Sequence, residues 1–156
     1  MRTNQSVRAG GLLGALAACM VLGGAAQAQV ATERPGSILV FPKVVRDAER
    51  DTIIHITNTG NMVNNLRCFY VTGNTCRCTD FEVSLTRQQP THWRASTGRF
   101  VTLSDPFGSD GAGLDPGLIP PVPMDFEGAL VCAEVNSDGM PVAQNKLKGE
   151  ASILAL

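Results

Sequence analysis

Cys76 and Cys78 stand two residues apart in the stretch TCRCT, residues 75–79, and sulfurs at that spacing can do two kinds of chemistry. As thiolates they are soft metal ligands. With the imidazoles of His55 or His92 and the thioethers of Met62, Met124 or Met140 they make a donor set that suits copper or zinc. In an oxidising compartment the same sulfurs are consumed in disulfides. Neither histidine falls at a spacing typical of zinc sites.

A second metal reading uses oxygen. Asp105, Asp110 and Asp115 recur every five residues in DPFGSDGAGLDPG, and a flexible acidic loop can gather carboxylates around calcium. The spacing departs from that of an EF-hand loop, and Asp, Gly and Pro are also the ordinary content of solvated loops. No Gly-x-Ser-x-Gly elbow, phosphate loop or His-Glu-x-x-His is present. His92 and Ser96 lie four apart, but a nucleophile and its base are recognised by geometry, not by spacing. The sequence therefore gives no catalytic residue and no cofactor, and a non-enzyme is the expectation.

Trp93, the one tryptophan, lies between a histidine and an arginine in QQPTHWR, residues 88–94. Exposed in a loop, such a ring could contact a protein or glycan partner. Lone tryptophans are highly buried on average, so a plug at the open end of a sandwich is the favoured reading.

Which chemistry the cysteines perform turns on the compartment, and the amino end bears on that. Residues 1–28 read as a signal peptide. Arg2 and Arg8 precede an apolar run from Leu12 to Ala26, and Ala26-Gln27-Ala28 is a small-x-small site with cleavage after Ala28. The run is too short and too rich in Gly and Ala for a membrane span, which needs about 20 apolar residues, and no later segment is that long. Leu16-Ala17-Ala18-Cys19 looks like a lipoprotein box. Because Met20-Val21-Leu22 continue the apolar run where a polar linker belongs, soluble export to the periplasm or outside is expected rather than a lipid anchor at Cys19.

The remainder keeps Cys68, Cys76, Cys78 and Cys132, and an even number in an exported chain points to disulfides with three connectivities. In a strand Cys76 and Cys78 would share a face about 6.6 Å apart, which an extended backbone bridges poorly. A two-residue turn at Gly73-Asn74 points Cys68 away from both, whereas a loop spanning Thr72 to Asn74 sets Cys68 across from Cys78. We therefore expect Cys68 to bond Cys78 or Cys76 and Cys132 to take the other. A Cys68–Cys132 bond across two sheets stays open.

These residues must be positioned by strands, since period-two alternation dominates and helical spacing hardly appears. Ser37–Val45 is a β-branched run broken by Pro42, which suits an edge. Thr52–Asn58 alternates, with His55 on the less buried face. Asn65–Thr72 is apolar on both faces, as a central strand is. Asp80–Arg87 places Phe81, Val83 and Leu85 inward. Gln88–Thr97 reads as a connection, Gly98–Leu103 as a short strand, and residues 104–123 as a long loop. Phe126–Val135 is a central strand, and Val142–Leu156 gives one or two strand pieces that leave an unpaired edge.

About seven or eight short strands with turn residues between them predict an all-β fold, an antiparallel immunoglobulin-like β-sandwich over residues 29–156. Leu130 stands where the tyrosine corner of a true immunoglobulin domain requires Tyr. With 13 Lys+Arg against 14 Asp+Glu and a net charge of −1, there is no basic stripe for nucleic acid.

The segments SILVFPKVV (37–45), DTIIHITNTGN (51–61), CFYV (68–71), DFEVSLTRQQPTHW (80–93), DPGLIPPV (115–122) and LKGEA (147–151) resemble a group of uncharacterised exported bacterial proteins. The pattern I-x-I-T-N-T-G is similar to strands of bacterial Ig-like surface modules. The resemblance implies a secreted β-sandwich, cut from a parent that continues past LKGEA, and brings no site residues. The expected function is an exported structural or interaction module of the cell envelope with a protein or glycan partner. The alternative is a periplasmic copper- or zinc-handling protein using Cys76-x-Cys78.

Overall fold

Two-residue alternation builds the part of the chain that a computed structural model describes, residues 34–100 and 117–156, within the unit Thr32–Leu156. The expected leader (1–28), the lipid-anchor cysteine Cys19 and the calcium candidates Asp105, Asp110 and Asp115 lie outside the described residues. Seven strands form: β1 (Ile38–Arg46), β2 (Arg50–Asn58), β3 (Asn64–Thr72), β4 (Cys78–Leu85), β5 (Pro90–Arg94), β6 (Phe126–Val135) and β7 (Leu147–Ala155). They make two antiparallel sheets, ordered β1-β6-β3-β4 and β5-β2-β7. The protein is an antiparallel β-sandwich.

The alternation of each strand decides which residues meet between the layers. From the four-stranded sheet, Leu66, Cys68 and Tyr70 on β3, Phe81, Val83 and Leu85 on β4, and Leu130 and Cys132 on β6 are buried. From the other sheet come Ile54 and Ile56 of β2 and Trp93 of β5. Phe81 and Trp93 meet edge to face at 6.4 Å between centroids, an arrangement aromatic quadrupoles favour.

Pro42 sits where the β1–β6 register shifts, between Phe41 and Val44. A proline cannot donate to the ladder, so β1 tolerates it only as an edge strand with an irregularity there. Gly149 of β7 is required by close packing. A Cβ on it would lie 2.8 Å from Phe41 Cζ and 2.9 Å from Leu39 Cδ1 and from the His55 carbonyl oxygen. Beyond Gly149, β7 is an exposed edge strand, and Ile153 stays 45% accessible.

Buried polar groups fix the connections. Glu134 has no exposed surface, and its carboxylate accepts from the backbone N–H groups of Gln144 (2.8 Å), Asn145 (3.1 Å) and Lys146 (2.8 Å) and from Asn64 Nδ2 (2.9 Å). Burial alone would raise its pKa. These donors outweigh that and hold it below the ordinary carboxylate value. Asn58, also buried, donates to the carbonyls of Met62 and Thr86 at 2.8 Å and accepts from the Gly60 N–H at 2.9 Å, closing the turn after β2.

One expectation about elements is corrected. Pro90–Arg94 is a strand rather than part of a connection. Gly98 and Arg99 form isolated bridges to Arg94 and Ile119, and the remainder of the strand expected at Gly98–Leu103 lies largely outside the described residues.

Candidate functional site

The sulfur chemistry resolves first. Cys68 on β3 and Cys132 on β6 are directly opposed in register, with Cα atoms 4.0 Å apart, and form the disulfide. Cys76 and Cys78 are free and exposed. The expectation that Cys68 bonds Cys78 or Cys76 is thus wrong, and the reason is register. The β3–β4 hairpin is longer than either loop considered: Val71 pairs with Cys78 and Cys68 faces Phe81. The Thr72 N–H bonds the Arg77 carbonyl, the Cys76 N–H bonds the Thr72 carbonyl, and Cys76 adopts a positive φ of 52°. That left-handed residue, uncommon for anything but glycine, lets the extra residues fold into the hairpin end. The bond that does form joins neighbouring strands of one sheet rather than crossing between sheets.

Free thiols on an exposed hairpin are open to a soft metal or an oxidant. Among the described residues, however, no group of three or more His, Cys, Asp or Glu side chains is gathered to hold a metal. The soft donors proposed to join the cysteines are placed elsewhere. Met62, Met124 and Met140 are exposed on other turns, and His55 and His92 are on the other sheet.

His92 is not in a loop. It lies on β5 directly opposite His55 of β2, and their rings stack with centroids 5.4 Å apart and planes 24° from parallel. Ser96, the nucleophile considered with His92, donates its Oγ hydrogen to Asp51 Oδ2 at 2.6 Å. Asp51 also accepts from the Ser96 and Thr52 backbone N–H groups, so serine and aspartate form a local turn brace. The Ser96 hydroxyl is thus committed to Asp51 and not to His92.

Trp93 is 2% exposed, which removes it as a partner contact. Pro90 and the polar residues around it hide the alternation that makes this segment a strand, and alternation turns Trp93 inward while His92 and Arg94 face out. Its Nε1–H donates to Tyr70 Oη at 2.7 Å.

The surface that sequence reasoning missed is the outer face of the four-stranded sheet. Ile38 and Val40 of β1 oppose Ala133 and Val131 of β6, which oppose Arg67 and Phe69 of β3. Ile38 and Val40 are 61% and 60% accessible. Ala129 and Val71 continue the apolar band in the next row. Ion pairs rim it: Lys43–Glu127 at 2.6 Å and Arg67–Asp80 at 2.8 Å, with the Arg67 guanidinium 5.8 Å above the Phe69 ring. The apolarity of both faces of β3 and β6 was the available signal, although it was read there only as centrality in the sheet.

No family model matches the chain, and no curated protein matches it in sequence. Among solved structures the chain is similar to the Anabaena sensory rhodopsin transducer, with a TM-score of 0.46 and 12% identity over 74% of this chain and 94% of that one. It is also similar to the Thermotoga maritima protein 1070, with a TM-score of 0.43 and 13% identity over 78% of this chain and 94% of that one. Similarity at this level carries no functional information. No described helix is long and apolar enough to cross a membrane.

Proposed function

We propose that the chain is an exported, non-catalytic structural or interaction module of the bacterial cell envelope that presents the outer face of its four-stranded sheet to a protein partner. The observation that carries this reading is the apolar band Ile38, Val40, Val131, Ala133 and Phe69 on a solvent-facing sheet surface. An apolar centre with a polar rim is the make-up of a protein contact. Burial of Trp93 removes the tryptophan considered as a glycan platform, and the mainly aliphatic make-up of the band favours protein over glycan. The leader-like residues 1–28 support export. The Cys68–Cys132 disulfide suits an oxidising compartment.

Replacing Ile38 and Val40 by Lys tests the reading, since both side chains are exposed and charges are common on edge strands. In-cell cross-linking of the wild-type chain is expected to give a discrete adduct in the envelope fraction, lost in I38K/V40K while the circular dichroism spectrum is unchanged. Recovery of the chain in the cytosol with residues 1–28 intact would overturn the proposal. So would a hydrolytic activity abolished by one loop substitution.

A second reading, copper or zinc handling in the periplasm through Cys76 and Cys78, is favoured by one observation: both thiols are free and exposed. Two reactive thiols and stoichiometric Cu+ or Zn2+ in periplasmic material support it. A chain with both cysteines oxidised and no bound metal argues against it.

A further inference from the structure

The chain contains two histidines, and the fold sets them face to face. His55 on β2 and His92 on β5 occupy directly opposed positions on the outer surface of the three-stranded sheet, His55 exposed and His92 half-buried. Their rings stack at 5.4 Å, and among the described residues no side chain or backbone group hydrogen-bonds either imidazole. The row continues to a carboxylate, because Glu150 of β7 is directly opposite His55 on its other side. Reading across β5, β2 and β7, three consecutive outward positions are therefore His92, His55 and Glu150.

We propose that His55 and His92 chelate a borderline divalent transition-metal cation, of the class of Zn2+, Ni2+ or Cu2+, with Glu150 as an added oxygen donor. Cβ atoms of directly opposed residues lie about 4.5–5.5 Å apart, and imidazole nitrogens bind such metals at about 2.0–2.1 Å. Rotation of the two rings about their side-chain torsions is enough to bring one nitrogen of each to a common point. The rigid element is the strand pair, which fixes the two Cβ positions. Imidazole selects these cations over Mg2+ and Ca2+, which require oxygen cages.

Glu150 is not gathered with the rings as the side chains stand, so it contributes less than either histidine. The cations around the row are Arg94, opposite Ile53, and Lys148, opposite Thr57. Arg94 is drawn toward Asp51, 3.8 Å away, and Lys148, exposed, stands two residues before Glu150 on β7. Waters fill the other coordination positions, which makes this an open site. It is independent of the interaction reading above and of the thiols, which belong to the other sheet.

Calorimetric titration with NiCl2 tests the proposal on the untagged chain carrying Cys76→Ser and Cys78→Ser, so that thiolates cannot compete. One Ni2+ per chain is expected. His55→Ala or His92→Ala should each weaken binding at least tenfold and Glu150→Gln by less than fivefold. Paramagnetic broadening by Ni2+ in the otherwise unsubstituted chain should reach the His55 and His92 ring signals first. This readout does not depend on whether the alanine variants fold. Binding unchanged within twofold in H55A/H92A, no binding at millimolar Ni2+, or broadening centred on other residues overturns it.

Discussion

The indole N–H of Trp93 donates to the phenol oxygen of Tyr70 at 2.7 Å, and this bond ties β5 of one sheet to β3 of the other through the middle of the core. Burial pushes the Tyr70 hydroxyl up to about 12, with the Trp93 donor pulling the other way. An unfolded phenol titrates near 10. The stabilisation is therefore intact below pH about 10 and is lost as pH rises toward 12. Urea midpoints between pH 9 and 12 should show a drop of about 2 kcal/mol in the wild type that Tyr70→Phe abolishes. Below pH 9 the same substitution should cost about 1–3 kcal/mol, because it leaves the Trp93 N–H without its acceptor.

Removing the disulfide should be expensive. Cys68 and Cys132 are 64 residues apart in sequence, and constraining a loop of that length stabilises by about 4 kcal/mol in the chain-entropy account. C68A/C132A is expected to lose roughly 2–5 kcal/mol in denaturant titration. In the chain processed after Ala28, a thiol reagent should find two reactive sulfurs under native conditions, both lost in C76S/C78S, and none from Cys68 or Cys132 until the protein is reduced and unfolded.

Glu134→Gln keeps the size of the side chain but replaces one acceptor oxygen with a donor that faces backbone N–H groups. Since hydrogen bonds to a charged group contribute about 1.5–3 kcal/mol each, a loss of roughly 3 kcal/mol is expected. The native carboxyl titrates below its ordinary value, so its contribution is present at neutral pH and disappears as the solution is acidified through the lowered pKa. The E134Q variant should show a flatter acid limb in a stability–pH profile. An unchanged limb would show that other carboxylates carry it.

Thr91→Val should stabilise. The hydroxyl of Thr91 is buried without a hydrogen-bond partner, facing the core from β5. A valine of the same shape removes that desolvation cost and suits a strand, so a gain of about 1 kcal/mol is expected, measured as a raised urea midpoint with an unchanged m-value.

Where alternation was clean, the fold was legible before any coordinates. Phe126–Val135 has the bounds expected of it, and Phe81, Val83 and Leu85 all point inward. The reading failed where a local feature masked the period. Pro90 begins β5 and made the segment look like a connection, which hid the alignment of His92 with His55; the burial of Trp93 was expected, but as a plug rather than as the inward residue of a strand. In the β3–β4 hairpin the left-handed Cys76 adds residues that no turn dipeptide announces, so the register of Cys68, and with it the disulfide partner, could not be read from Gly73-Asn74. Long-range pairings such as Cys68 with Cys132 are set by strand order, and strand order is a property of how the layers stack rather than of any one segment.

Because the sulfur bridge laces β3 to its neighbour β6, no disulfide among the described residues joins one layer to the other, and beyond the backbone turns the layers are held by packing. Heat or a mechanical pull is then resisted across the seam by the shared core and by the Trp93–Tyr70 bond rather than by sulfur. The slowest amide hydrogens to exchange should be those of β3 and β6. Reducing agent alone, by contrast, should loosen the inside of a single layer and leave the seam between layers as it was.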